Sequence, residues 1–164
     1  MGKVEDTFEE ILDDDSEEQF WESNYYWGAA RFQIEQENFG RALKLINKAL
    51  KINKYDTDFV STKAEILFEK EDFKDALKWI KKCEKMEEKI GEREAGTFML
   101  MANIYHDTRK FALSTKALLK AIRLFKKNKS KTNRGYDIQD AHYQIGHNYF
   151  HLKKFNLALR WLKK

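Results

Sequence analysis

The sequence predicts an all-α fold in which helices come in repeating pairs, and three observations lead there. Phe39, Phe73, Phe111 and Phe155 each stand three residues before a small residue: Ala42, Ala76, Ser114 and Ala158. The same phenylalanines lie nine residues after Ala30, Ala64, Ala102 and Gly146. The frame runs on through Ile46, Ile80, Leu118 and Leu162, then through Ala49, Cys83 and Ala121. Residues three, four and seven apart share one face of a helix, so each block presents a stripe of small and apolar side chains. The second observation is the absence of proline and the low count of seven glycines in 164 residues, which leaves little to support a turn-rich fold. The third is composition. With 42% hydrophobic and 35% charged residues, the chain can bury a core and keep a polar surface.

The last block carries the pattern most fully: His142, then Ile145-Gly146, Tyr149, Phe155, Ala158 and Leu162. Gly146 should let the first helix approach its partner, Ala158 should answer it from the second, and Phe155 is expected to plug the junction. This order of residues resembles the tetratricopeptide repeat (TPR), and the resemblance covers roughly residues 24–164. It implies a TPR-type α-solenoid of about four helix-turn-helix repeats wound as a right-handed superhelix. The repeats fall at about 16–54, 55–91, 92–134 and 135–164, after an acidic arm over 1–15.

Taken in order, Thr7-x-x-Glu10 and Ser16-x-x-Gln19 both have capping-box form, so the arm can hold one short helix before the array starts. Ser16 to about Gln36 reads as the first helix, with Gln33 where an aromatic belongs and Phe32 one step early. Gly40 to Lys51 reads as its partner. Asp56, Thr57 and Asp58 are candidate caps for the next helix, about 58–70. Its partner runs from near Asp72 to Ile90 and stops at Gly91. The third pair is about 93–106 and 110–127, and the fourth about 138–152 and Phe155 onward. The phenylalanine spacing drifts from 34 to 38 to 44 residues. Lys54, Glu88 and Lys126 stand where the family places a proline, so second helices can lengthen, as can the loops after them. Longer repeats of this kind resemble TPR variants in bacterial peptide-sensing regulators and in some cytoskeletal adaptors. The frame would place its next small residue at position 165. The last helix therefore reads as cut in mid-pattern within a longer protein, leaving Leu157, Trp161 and Leu162 partly uncovered and open to self-association.

Charge is unevenly spread. Residues 1–24 sum to −9 and the remainder to +13. The arm could fold back on basic faces of the array, although exposed ion pairs contribute little and a solvated leader is the plainer reading. Cys83 takes a small core position and forms no disulfide framework. Neither a membrane-length apolar run nor a secretory leader is present, so a soluble cytoplasmic protein without membrane contact is expected.

No Gly-rich phosphate loop, Cys/His metal spacing or nucleophile elbow appears, so an enzyme is not expected. The TPR resemblance implies instead a scaffold or adaptor that binds a peptide or partner protein in a concave groove lined by the first helices. Counting from each small anchor, the groove stripe is Trp27, Arg31 and Ile34, then Ser61, Glu65 and Phe68. It continues with Met99, Asn103 and His106, then Tyr143, His147 and Phe150. Ile34, Phe68 and Phe150 serve equally well as packing between helices. The candidate binding set is therefore Trp27, Arg31, Glu65, Met99, Asn103, His106, Tyr143 and His147. The carboxylate clamp by which some family members hold acidic chaperone tails is absent. Trp27, Arg31, Thr62, Gly96 and Leu100 occupy its places. His147 and His151 are one turn apart with His106 able to face them, and a carboxylate such as Asp107 or Asp140 would complete a zinc or nickel site. Histidines so spaced are common without metal, and neither metal nor cofactor is expected. Lys126, Lys127, Lys129, Lys131 and Arg134 form a basic run, the basis of an alternative in which the chain associates with nucleic acid.

Overall fold

Small residues on the repeating frame bring the helices together. The computed structural model describes residues 2–127 and 137–164, with side chains from Ser16 onward. Eight helices appear among these residues and no strand. They divide into two compact units, with the boundary after Lys70.

The first unit holds α1 (Gly2–Glu35), α2 (Phe39–Ile52) and α3 (Thr57–Glu69). α1 passes without a break through both candidate capping boxes, so neither Thr7 nor Ser16 starts a helix. The segment offers no proline to interrupt it, and its acids near the N-terminus suit the positive end of the helix dipole. α1 and α2 pair across a three-residue turn, and α3 packs on both. Ala30, Ala42, Ile46 and Ala49 are fully buried and join Phe59 and Ile66 in one cluster. Asp56 caps α3, accepting from the N–H groups of Asp58 and Phe59 at 2.9 and 3.1 Å.

The second unit holds α4 (Phe73–Ile90), α5 (Ala95–Asp107), α6 (Phe111–Lys127), α7 (Ile138–His151) and α8 (Phe155–Leu162), each packed on the next. α5, AGTFMLMANIYHD, carries no charged residue before Asp107 and is buried continuously from Ala95 to Ala102. A helix apolar on all sides belongs inside. α7 starts with a reciprocal box. Asp137 accepts from Gln139 and Asp140 N–H, and the Asp140 carboxylate accepts from Asp137 N–H at 3.0 Å. Ser114 departs from alanine on the frame for a reason visible here: its Oγ accepts from Asn148 Nδ2 at 2.9 Å, with both residues fully buried.

The longer second repeat resolves simply. α4 has 18 residues against 14 in α2, while α3 and α5 both have 13. The connections 53–56 and 91–94 are equally long, so the extra four residues all lie in helix and none in loop. Each residue added to a helix without proline gains a backbone hydrogen bond; one added to a loop gains none. Gly91 ends α4 in the left-handed conformation, φ 76°.

The turns inside the pairs repeat one geometry. Glu37, Arg109 and Lys153 each have φ 57°, and each stands two residues before a frame phenylalanine. In the first, Glu37 N–H donates to Ile34 O at 2.9 Å and Asn38 N–H to Gln33 O at 2.8 Å, the paired bonds of a Schellman cap. Arg109 with Lys110, and Lys153 with Lys154, reproduce it. Glu71, φ 59°, holds the same backbone conformation.

Two predictions follow from this geometry. A non-glycine residue in the left-handed region costs about 1–3 kcal/mol, while glycine gives back about 0.4–1 kcal/mol in unfolded-chain entropy. Arg109→Gly and Lys153→Gly should therefore each raise stability, by about 1 kcal/mol, in urea unfolding. A loss of stability would mean the charged side chains themselves hold these turns. At the other contact, a Cβ on Gly146 would sit 2.6 Å from Leu162 Cγ and 3.3 Å from the Ala158 carbonyl oxygen. Leu162 is half exposed and can turn aside, but the backbone oxygen cannot. Gly146→Ala should cost less than Gly146→Leu, which should cost about 1–3 kcal/mol in the same assay.

Candidate functional site

The expected groove residues are positioned by the first helix of each pair. In the first unit they bond across from α1 to α3. Trp27 Nε1 on α1 donates to Thr62 Oγ1 on α3 at 3.0 Å. Arg31 Nη1 lies 2.9 Å from Glu65 Oε2, an ion pair whose side chains are 38% and 29% exposed. These polar heads have partners within the chain. At that exposure the pair contributes about 0–1 kcal/mol and leaves both groups open to exchange for a ligand.

In the second unit the stripe separates into buried and exposed parts. Met99 has no exposed surface and fills the core, because the anchors around it on α5 are buried as well. Asn103 is half-buried. His106 Nε2 lies 3.1 Å from His147 Nδ1, joining the last turn of α5 to the middle of α7. Tyr143, 64% exposed, lies parallel to the His147 ring at 6.3 Å between centroids. Phe150 is 55% exposed and meets Phe155 edge-on at 5.6 Å. Burial lowers the His147 pKa, and the neighbouring His151 and His106 push the same way.

Sequence reasoning missed a second row. Trp21, Tyr25 and Phe32 on α1 are exposed and, with Gly28 between them, follow the i, i+4, i+7, i+11 spacing of one helix face. The spacing was legible, but the frame drew attention to the opposite, buried face around Ala30. On α8, Leu157 and Leu162 are exposed and Trp161 is half-buried beneath Lys164 Nζ, 3.6 Å from the ring centroid. Of the basic run, Lys126 and Lys127 close α6, while Lys129, Lys131 and Arg134 lie outside the described residues. No helix among the described residues is long and apolar enough to cross a membrane.

Helix pairs of this kind, repeated on a small-residue frame, are the tetratricopeptide-repeat fold. No protein-family model matches the sequence, and comparison with curated proteins gives no match. Solved structures do match. BtubC (BKLC) from P. vanneervenii has a TM-score of 0.74 at 12% identity, over 86% of this chain and 60% of that one. MamA 41-end from Desulfovibrio magneticus RS-1 has a TM-score of 0.70 at 14% identity, over 86% and 72%. A putative kinesin light chain from Podosopora anserina, with nearly identical TPR-like repeats, has 0.70 at 10%, over 85% and 71%. The chain thus spans 60% of the BtubC structure. At such identities the likeness establishes the fold.

One acid is enclosed rather than displayed. Glu87 on α4 is 3% exposed and ties α4 to the start of α5. Its carboxylate accepts from Thr97 Oγ1 at 2.5 Å, from Cys83 Sγ at 3.3 Å and from Glu94 N–H at 3.1 Å. Burial raises its pKa above the ordinary value of 4.5, and these hydrogen bonds offset part of the rise. The folded state then holds this proton more tightly than the unfolded chain. The stabilisation is complete below pH 4.5 and disappears as pH rises through the elevated folded pKa. Glu87→Gln should remove this slope. Its lost bond to Glu94 N–H adds only a pH-independent offset. Unfolding measured from acid to neutral pH should show wild type losing ground to the variant as pH rises, and parallel curves would contradict a raised pKa.

Proposed function

We propose that the chain is a non-catalytic interaction scaffold of the cytoplasm that holds a peptide or partner segment along the exposed face of α7. The observation that carries this reading is the row Tyr143, His147 and Phe150, in which two large aromatics stand more than half exposed on the first helix of a pair. Aromatic side chains in a row supply contact area at small entropic cost, and the histidine between them offers a hydrogen bond. The TPR-type fold supports the reading, since its helix pairs build surfaces suited to extended or helical segments. The partner's identity is open to selection.

The test is a peptide selected by display against the intact chain, with its affinity then measured on variants. The double variant Tyr143→Ala with Phe150→Ala should weaken the selected peptide by about 2 kcal/mol or more, the scale of an interface hot spot. Trp21→Ala, on the other exposed row, should leave it unchanged. Equal affinity for all three proteins removes α7 as the binding face. Repeating the titration with a short single-stranded oligonucleotide across a salt series tests the alternative. Only a phosphate-binding surface gives a steep salt slope that Lys126→Glu with Lys127→Glu flattens.

A further inference from the structure

Three of the chain's four histidines converge on one spot of the second unit, and two of them are joined through a shared hydrogen bond. His106 stands in the last turn of α5, while His147 and His151 sit one turn apart on α7. One ring nitrogen from each falls within 4.8 Å of the others. His106 Nε2 and His147 Nδ1 are 3.1 Å apart, and the His147 and His151 rings stand edge-on with centroids 4.6 Å apart. On the far side of His106, Nδ1 lies 3.1 Å from the Asp107 carboxylate. Phe111 stacks flat on His151 at 4.5 Å and fixes its ring plane.

We infer that His106, His147 and His151 form a binding site for one divalent transition cation of the zinc class. The tautomer is the first reason. A proton on His106 Nδ1 donates to Asp107 and turns the Nε2 lone pair toward the other two rings, which is how metal-bound imidazoles are commonly oriented. Distance is the second. Zinc–nitrogen bonds of about 2.0–2.1 Å at tetrahedral angles set ligand nitrogens about 3.4 Å apart. The His106–His147 pair is already close to that separation, and His151, exposed on α7, needs only a side-chain adjustment to join them. Ligand chemistry is the third. Three imidazoles without a carboxylate do not suit calcium or magnesium, which require oxygen. The chain's only thiol, Cys83, is buried on α4, so the set is purely nitrogen and of borderline softness. A fourth position stays open for water.

An i, i+4 histidine pair on one helix would be unremarkable. The third ring arrives from a different helix, 41 residues away from His147, with a carboxylate already behind it. The site shares His147 with the candidate peptide face, but its test contains no peptide, so either reading can fail alone.

The experiment titrates the untagged full chain with zinc chloride alone by calorimetry near neutral pH. One ion per chain should bind. His147→Gln and His151→Gln should each weaken binding at least about tenfold, and Asp107→Asn by about 10–100-fold. His142→Gln, at the one histidine outside the cluster, should change nothing. Cobalt in place of zinc should give the intense visible absorption of a four-coordinate site in wild type and lose it in His147→Gln, with far-UV circular dichroism confirming that the variant is folded. Absent binding, or equal weakening by His142→Gln and His147→Gln, would overturn the assignment.

Discussion

Close approach between helix backbones is the constraint on which this structure depends. A helix pair can bring its axes near only where side chains are small, and the frame supplies them at Ala30 and Ala42, Ala102 and Ser114, and Gly146 and Ala158, all buried. Between these contacts Ile46 and Leu118 fill the space that the small residues leave. The last pair makes the limit plain, since even a methyl on Gly146 would press into Leu162. Turns then inherit their shape from the packing. Glu37, Arg109 and Lys153 accept a left-handed backbone because the two helices they join are held where packing places them.

Polar groups inside the units make individual pairs distinct on a common scaffold. Trp27 with Thr62 joins α1 to α3, and Asn148 with Ser114 joins α7 to α6. Glu87 ties α4 to the start of α5 through Thr97 Oγ1 and the Glu94 N–H. Each bond is directional, so it fixes one register between helices whose apolar stripes would tolerate several. Burial of a carboxyl opposes this gain, and the raised pKa of Glu87 records the opposition.

With the buried face committed to packing, the proposed recognition would fall to what the helices leave outside. α1 presents Trp21, Tyr25 and Phe32; α7 presents Tyr143 and Phe150 with His147 between them. The histidines add a second chemistry to the α7 face, because imidazole nitrogens brought this close can share an ion. A metal there would stiffen the end of α5 against α7 without using the aromatic side chains.

The sequence by itself determined the helix pairs, their order and the residues at which they meet, because the spacing of small and apolar residues acts locally and repeats. It also located the end of α4, since Gly91 acts on the backbone beside it, whereas for the start of α3 it offered Asp56, Thr57 and Asp58, of which Asp56 is the cap. Tertiary structure decided which groove candidates remain outside. Met99 and Tyr143 stand at equivalent positions of the frame, yet one is sealed and the other is 64% exposed. Burial at a given helix position depends on what packs over it, and that is set by residues distant in sequence. The pairing of Arg31 with Glu65, of Asn148 with Ser114, and of His106 with His147 has the same origin. Each joins residues 34 to 41 apart, on different helices, where periodicity can assign a face but cannot say which side chain will stand opposite.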